Sequence, residues 1–212
     1  MAGCSPHLER RALYADSFAE EPPKDADIGT LRKRLLPYLE FFEDRYFTEE
    51  QTGRDAPVKA RSRVRSKAKR TFADPSLPAS LLGMTPERLL LERQLLGNLF
   101  EELCLHDIRV YASALGAIPD PGVYYYADAD GLEVDAVVEL PDGRWGAFEI
   151  KLNEGKVPDG TDNLMRLRDK VLANPAAKGR EPSFLAVLVG KANYCRTTPE
   201  GVFVVPVTCL GA

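Results

Sequence analysis

The chain has 212 residues, 44% of them hydrophobic, and a formal charge of −4, a size and composition that suit one sizeable domain, alone or with a small appendage, and exclude disordered and collagen-like classes. The mild acidity excludes little about partners, because an acidic mean can hide a basic cluster that nucleic acid would meet first. Cys4, Cys104, Cys195 and Cys209 lie far apart with no C-x-x-C pair, so zinc-ligand spacing is absent and a reduced chain is the simpler reading.

Residues 1–27 contain EEPPKDAD and little periodicity, which predicts an irregular lead-in with one short helix at Leu8 to Ala15. That stretch holds no apolar run like an export signal, and nowhere do about 18 apolar residues follow one another. The expectation is a cytoplasmic protein with no membrane partner. From Ile28, apolar Leu31, Leu35, Tyr38, Leu39 and Phe42 recur at helical spacing. Pro37 falls inside that run, lacks a donor N–H and crowds the preceding turn, so two helices meeting at Pro37 are expected.

Between Val58 and Arg70 stand seven Lys or Arg and no acid. Lys59, Arg61, Arg63, Arg65, Lys67 and Lys69 alternate with small or apolar residues, the period of a strand. Together with Arg70 they are a candidate nucleic-acid-binding set whose phosphate contacts would be strongly salt-dependent. No aromatic residue interleaves the run, so contact with the nucleic-acid backbone, without base reading, is the most it supports. The bland alternative is a solvated strand edge that its charges keep from pairing.

After the Pro-punctuated ADPSLPASLLGMTPERLL, one long helical pattern runs from about Pro86 to Leu115 and stops near Gly116. Strands are predicted at Val123 to Ala127, Leu132 to Leu140, Arg144 to Leu152, Phe184 to Val189 and Val202 to Val207, with a helix at about Thr161 to Ala173 between the third and the fourth. The order describes an α/β fold, a mixed sheet flanked by helices. Tyr124, Tyr125 and Tyr126 read as core rather than as a stacking platform.

The turn between the second and third strands, PDG at Pro141 to Gly143, suits a three-residue hairpin loop with Gly in the left-handed position. If Leu140 then faces Arg144, Asp135 lies directly across from Glu149, and Lys151 emerges on the same side. A two-residue turn would send Glu149 to the opposite face from Asp135. The plain alternative is that Glu149 and Lys151 face water while Phe148, Ile150 and Leu152 face the core.

On the long helix, Glu101 has Gly97, Cys104, Leu105 and Ile108 at the neighbouring offsets, which places a carboxylate within an apolar stripe; Glu102 has Asn98, His106 and Arg109 around it instead. A carboxylate in an apolar stripe is costly unless paired, protonated or bound to a cation. Glu101, Asp135 and Glu149 converging beside Lys151 would suit a hard divalent cation such as magnesium, which takes a few carboxylate oxygens and completes its octahedron with water. Phosphodiester hydrolysis is the matching reaction class.

Glu101 on a helix, Asp135 on a strand and EIK at Glu149 to Lys151 resemble, in order and element type, the PD-(D/E)XK nuclease superfamily. More closely, LLGNLFEELCLHDIRVYASALGA, GLEVDAVVELPDGRWGAFEIKL and FLAVLVG are similar to the C-terminal domain of unknown function that follows the AAA-type ATPase module in many prokaryotic ATP-binding proteins. This likeness covers roughly Arg70 to Val207. It implies a restriction-endonuclease-like core in residues 76–212, preceded by a small winged-helix-like segment in residues 28–75. It also implies Asp135 and Glu149 as metal ligands, Glu101 as a weaker ligand or a support for metal-bound water, and Lys151 as the stabiliser. Magnesium or manganese is the implied cofactor, for hydrolysis of DNA or RNA. No G-x-x-x-x-G-K-[ST] occurs in the chain, so it is not expected to be the ATPase itself or to hold ATP. The alternative to a nuclease is a non-catalytic module of the same fold that binds nucleic acid or a protein through the basic run.

Overall fold

A computed structural model describes residues 28–53, 68–115, 122–177 and 179–210. The helix expected at Leu8 to Ala15 and Lys59, Arg61, Arg63, Arg65 and Lys67 of the basic run lie outside those residues.

Helix α1 spans Ile28–Asp44 without interruption, in place of two helices meeting at Pro37. Leu35, Leu39 and Phe42 form one partly buried stripe on both sides of the proline, so packing of a continuous face outweighs the single backbone bond that Pro37 removes. The helix closes where Tyr46 takes a left-handed φ of 60°. Phe47 N–H then bonds back to the Phe42 carbonyl at 2.8 Å, as in a Schellman cap.

Strands β1 (Thr48–Gln51) and β2 (Lys69–Phe72) pair antiparallel as a separate two-stranded sheet, with Gln51 opposite Lys69 and Glu49 opposite Thr71. Strand alternation puts Glu49, Gln51 and Lys69 on one face. Glu50 and Arg70 take the other, where they form an ion pair. Nothing in TEEQ signals β1, which has no apolar alternation; its partner is the tail of the basic run.

The helical pattern expected from Pro86 to Leu115 as one element is two. Following α2 (Ser76–Leu81), helix α3 (Pro86–Leu91) gives way at Glu92, with φ −92° and ψ 64°, to α4 (Arg93–Ala114). Glu92 N–H still bonds the Arg88 carbonyl and the Glu92 carbonyl still accepts from Leu96, each at 3.0 Å. The bend therefore preserves the helical spacing on either side, which is why the spacing does not betray it.

The main sheet has six strands: β3 (Val123–Ala127), β4 (Glu133–Glu139), β5 (Trp145–Lys151), β6 (Phe184–Val189), β7 (Arg196–Thr197) and β8 (Phe203–Pro206), in the spatial order β3-β4-β5-β6-β8-β7. Neighbours β3–β4, β4–β5 and β7–β8 are antiparallel, whereas β5–β6 and β6–β8 are parallel. A parallel neighbour requires a crossover, and helix α5 (Val157–Ala173) supplies it between β5 and β6. It begins at Val157 rather than at Thr161, with Pro158 in its first turn, a position where the missing N–H costs nothing.

Helix α5 covers one face of the sheet through Leu164, Leu167 and Val171 against Val137, Ala147 and Val187. Helix α4 covers the other through Leu105 and Ile108 against Ala136, Val138, Ile150 and Leu188. The fold is thus a mixed sheet flanked by helices, as expected. Tyr124, Tyr125 and Tyr126 are all buried. Among the described residues no helix is long and apolar enough to cross a membrane.

Candidate functional site

The PDG turn fixes the geometry of the site. Leu140 N–H bonds the Arg144 carbonyl at 2.8 Å, Gly143 N–H bonds the Leu140 carbonyl at 2.9 Å, and Gly143 has φ 85°, a conformation that only glycine adopts without strain. The β4–β5 ladder runs in the expected register, from Glu139 opposite Trp145 to Ala136 opposite Phe148. The ladder ends there, because β4 bulges at Asp135 and Ala136 opposite Tyr125 of β3, so the direct pairing of Asp135 with Glu149 expected from the turn is not part of it. There the main-chain ladder gives way to a side chain, for the Asp135 carboxylate accepts the Ile150 N–H at 2.7 Å.

Lys151 joins the two strands. Its Nζ lies 3.5 Å from Asp135 Oδ2 and contacts Glu149 Oε2. Glu149 does not face water: its side chain is 1% exposed, because α5 lies over it. Gly160 of that helix makes the close approach possible, since a Cβ there would stand 3.2 Å from Glu149 Cβ and 3.5 Å from Lys151 Cε. Asn163, on the same helix, donates from Nδ2 to Glu149 Oε1 at 3.2 Å.

Burial, then the charge of Asp135, pushes the Glu149 carboxyl up to about 8, against the pull of Lys151 and Asn163. Burial works against the Lys151 ammonium too, but Asp135, Glu149 and Glu101 outweigh it and hold the amine above its usual range. Two carboxyls share one ammonium in a place with little solvent, so the pair is short of positive charge.

Glu101 reaches the same region from α4. Burial first, then Asp135 and Glu133, raise its carboxyl to about 7, while Lys69 and Lys151 oppose the rise. Glu102, expected to lie outside the apolar stripe, is also partly buried; burial and its neighbour Glu101 raise it to about 7. Lys69, counted in the sequence with the nucleic-acid-binding set, turns inward. Its Nζ lies 3.8 Å from Glu101 Oε1 and 2.5 Å from Glu133 Oε1, above the Tyr125 ring at 4.8 Å. Among the described residues no group of three or more His, Cys, Asp or Glu is assembled closely enough to hold a metal ion. Two acids gather around Lys151, and the third is drawn toward Lys69.

The β1–β2 hairpin is seated against this site. Gln51, completely buried, donates from Nε2 to the Asp135 carbonyl at 2.9 Å, and its Oε1 is buried with no hydrogen-bond partner among the described residues. Arg109 of α4 contacts Glu49 directly, with His106 Nδ1 3.4 Å from the same carboxylate. Tyr125 N–H bonds the Thr52 carbonyl at 3.2 Å, and Gly53 bridges to Tyr125 in parallel.

The structure thus brings Glu101, Asp135, Glu149 and Lys151 to one region, and it adds Gln51, Lys69, Glu133, Gly160 and Asn163. Glu133 was within reach of the sequence, two residues before Asp135 and therefore on the same strand face. Gly160 and Asn163 are three apart in a helix that starts earlier than its apolar spacing suggests. Gln51 and Lys69 carry no local signal.

The model of the family described as Domain of unknown function (DUF4143) matches residues 96–210, more than half of the chain. No curated protein matches. Among solved structures, a chain of the assembly of Thermococcus gammatolerans McrB AAA+ hexamers with bound McrC is similar at 11% identity and a TM-score of 0.32, over 95% of this chain and 66% of that one. This chain therefore spans a little under two thirds of the length of that structure's chain.

Proposed function

We propose that this chain, which belongs to the DUF4143 family, is a metal-dependent nuclease-like protein of PD-(D/E)XK type that hydrolyses phosphodiesters of DNA or RNA. The observation that carries the reading is the bridging of Asp135 and Glu149 by Lys151 across two adjacent strands. The order α4, β3, β4, β5, α5, β6 supports it by matching a restriction-endonuclease-like core, with residues 76–212 as that domain. Residues 28–75 are proposed as a winged-helix-like segment, with Lys59, Arg61, Arg63, Arg65, Lys67 and Arg70 as its nucleic-acid contacts and, as in the resembled family, an ATPase module elsewhere in the relatives; Lys69, counted with them from the sequence, is taken up by Glu101 and Glu133 instead.

The side chains present fit magnesium or manganese in kind. They are hard carboxylate oxygens, and one of them, on Glu149, carries a burial penalty for ionising that a cation would offset. Gln51, bonded to the Asp135 carbonyl, adds a buried acceptor, Oε1, with no partner among the described residues. A bound ion would supply Lewis acidity and a water of lowered pKa. Asp135 and Glu149 would hold it, and Glu101 would support it from α4. Asn163 fixes the orientation of Glu149, and Lys151 offsets the negative charge that develops on the phosphoryl oxygens.

A second reading has one observation in its favour. Lys69 and Lys151 already engage the acids of the site, as in a nuclease fold retained only for binding nucleic acid or protein. A nicking assay with magnesium or manganese separates the two. Wild type cleaves and Asp135→Ala and Lys151→Ala do not if the first reading is right; equal background cleavage by all three removes it.

A further inference from the structure

We propose that Lys69 is a built-in counter-ion of this site that competes with a divalent cation for Glu101, so that the seating of the β1–β2 hairpin sets the cation affinity. The inference rests on the reading of Asp135, Glu149 and Glu101 as metal ligands.

Four carboxyls, those of Glu101, Glu133, Asp135 and Glu149, surround two ammonium groups, those of Lys69 and Lys151. Lys151 is built into the strand that bears Glu149. Lys69 comes from a segment far away in the chain and is delivered by strand pairing, opposite the fully buried Gln51. Gln51 in turn is bonded to the main chain of Asp135, so Lys69 and Asp135 are held to one frame. Alternation along β2 leaves Lys69 facing the acids while Arg70 pairs outward with Glu50. The inward position is therefore dictated by the register, which sets the Lys69 ammonium on Glu101 and Glu133.

A divalent ion entering between Asp135 and Glu149 would bring two positive charges close to that ammonium in a region of low effective dielectric. The two cannot both be fully satisfied by Glu101. Lysine is a compact charge on a flexible stem, so it can swing away when an ion binds, and its attraction to the acids is lost when it does.

Calorimetric titration of manganese chloride into wild type, Lys69→Met, Lys69→Arg and the Lys69→Met/Asp135→Asn double variant tests this, with circular dichroism as a folding control. Lys69→Met is expected to bind at least about tenfold more tightly than wild type, Lys69→Arg to resemble wild type, and the double variant to show no binding. Binding by Lys69→Met alone, with none by wild type, also supports the proposal. Equal or weaker binding by Lys69→Met overturns it, and if wild type binds the metal reading of the acids survives. No binding by any protein ends both. Should Lys69→Met not fold, wild type answers alone: manganese is expected to raise acetylation of the Lys69 amine several-fold by mass spectrometry, and an unchanged yield overturns the proposal.

Discussion

Lys170 and Lys151 each sit between two acids, and those acids respond in opposite ways. Lys170 of α5 lies 2.6 Å from both Asp128 and Asp130 on the rim of the sheet. There burial pulls Asp128 upward, but the bonds from Lys170, the Leu132 N–H and the Tyr126 hydroxyl outweigh it, and the carboxyl falls below its ordinary value. Lys151 also lies between two acids, yet Glu149 is pushed up to about 8. The chemical groups are the same in kind. What differs is that α5 lies over Glu149, through the notch at Gly160, and excludes the solvent that would otherwise carry its charge. An ion pair open to water stabilises its acids as anions, whereas one sealed beneath a helix makes ionisation costly.

The largest test of this contrast is removal of each lysine. Lys151→Met strands two acids beside a helix and is expected to cost about 3 kcal/mol, growing as Glu149 ionises at alkaline pH. Chemical denaturation at pH 9 measures it. A loss no greater than that of Lys170→Ala would show that the site is not sealed.

A smaller effect follows from the direction of the Glu149 shift. Unfolded, the carboxyl ionises near 4.5, whereas folded it keeps its proton until about 8. Its contribution to stability is therefore full below pH 4.5 and lost as the pH rises toward 8. Gln cannot ionise, so Glu149→Gln is expected to gain a few degrees in Tm relative to wild type across that window. A constant difference from pH 4.5 to 9 would mean that Glu149 ionises as an ordinary surface carboxylate does.

The smallest effect belongs to the rim. Lys170→Ala should cost less than about 1 kcal/mol and lose even that in high salt, because an exposed pair is screened. Thermal melts at two salt concentrations read it out, and a large, salt-insensitive loss would collapse the distinction between the two clusters.

Much of the sheet was legible in the chain. Val123–Ala127 and Phe184–Val189 fall where their apolar, β-branched and aromatic residues place them, and PDG sets the register of β4 on β5 from Glu139–Trp145 to Ala136–Phe148. These features depend on a few adjacent residues whose backbone preferences act over one turn. Two local expectations failed: α1 runs on through Pro37, and the long helix bends at Glu92. In the first case the cost of one backbone irregularity is small beside the packing of a helix face; in the second, the hydrogen bonds kept on both sides of Glu92 preserve the helical spacing and hide the bend.

By itself, then, the sequence determined where most of the strands form and how the β4–β5 hairpin pairs next to its turn, because alternation and turn chemistry are properties of neighbours in the chain. Only the tertiary structure decided that Glu149 is sealed beneath α5, and that Gln51 reaches across 84 positions to the Asp135 carbonyl while Lys69 comes to rest on Glu101 and Glu133. Burial and long-range pairing are set by how distant segments pack together. A residue such as Gln51 carries no mark of the partner it will meet.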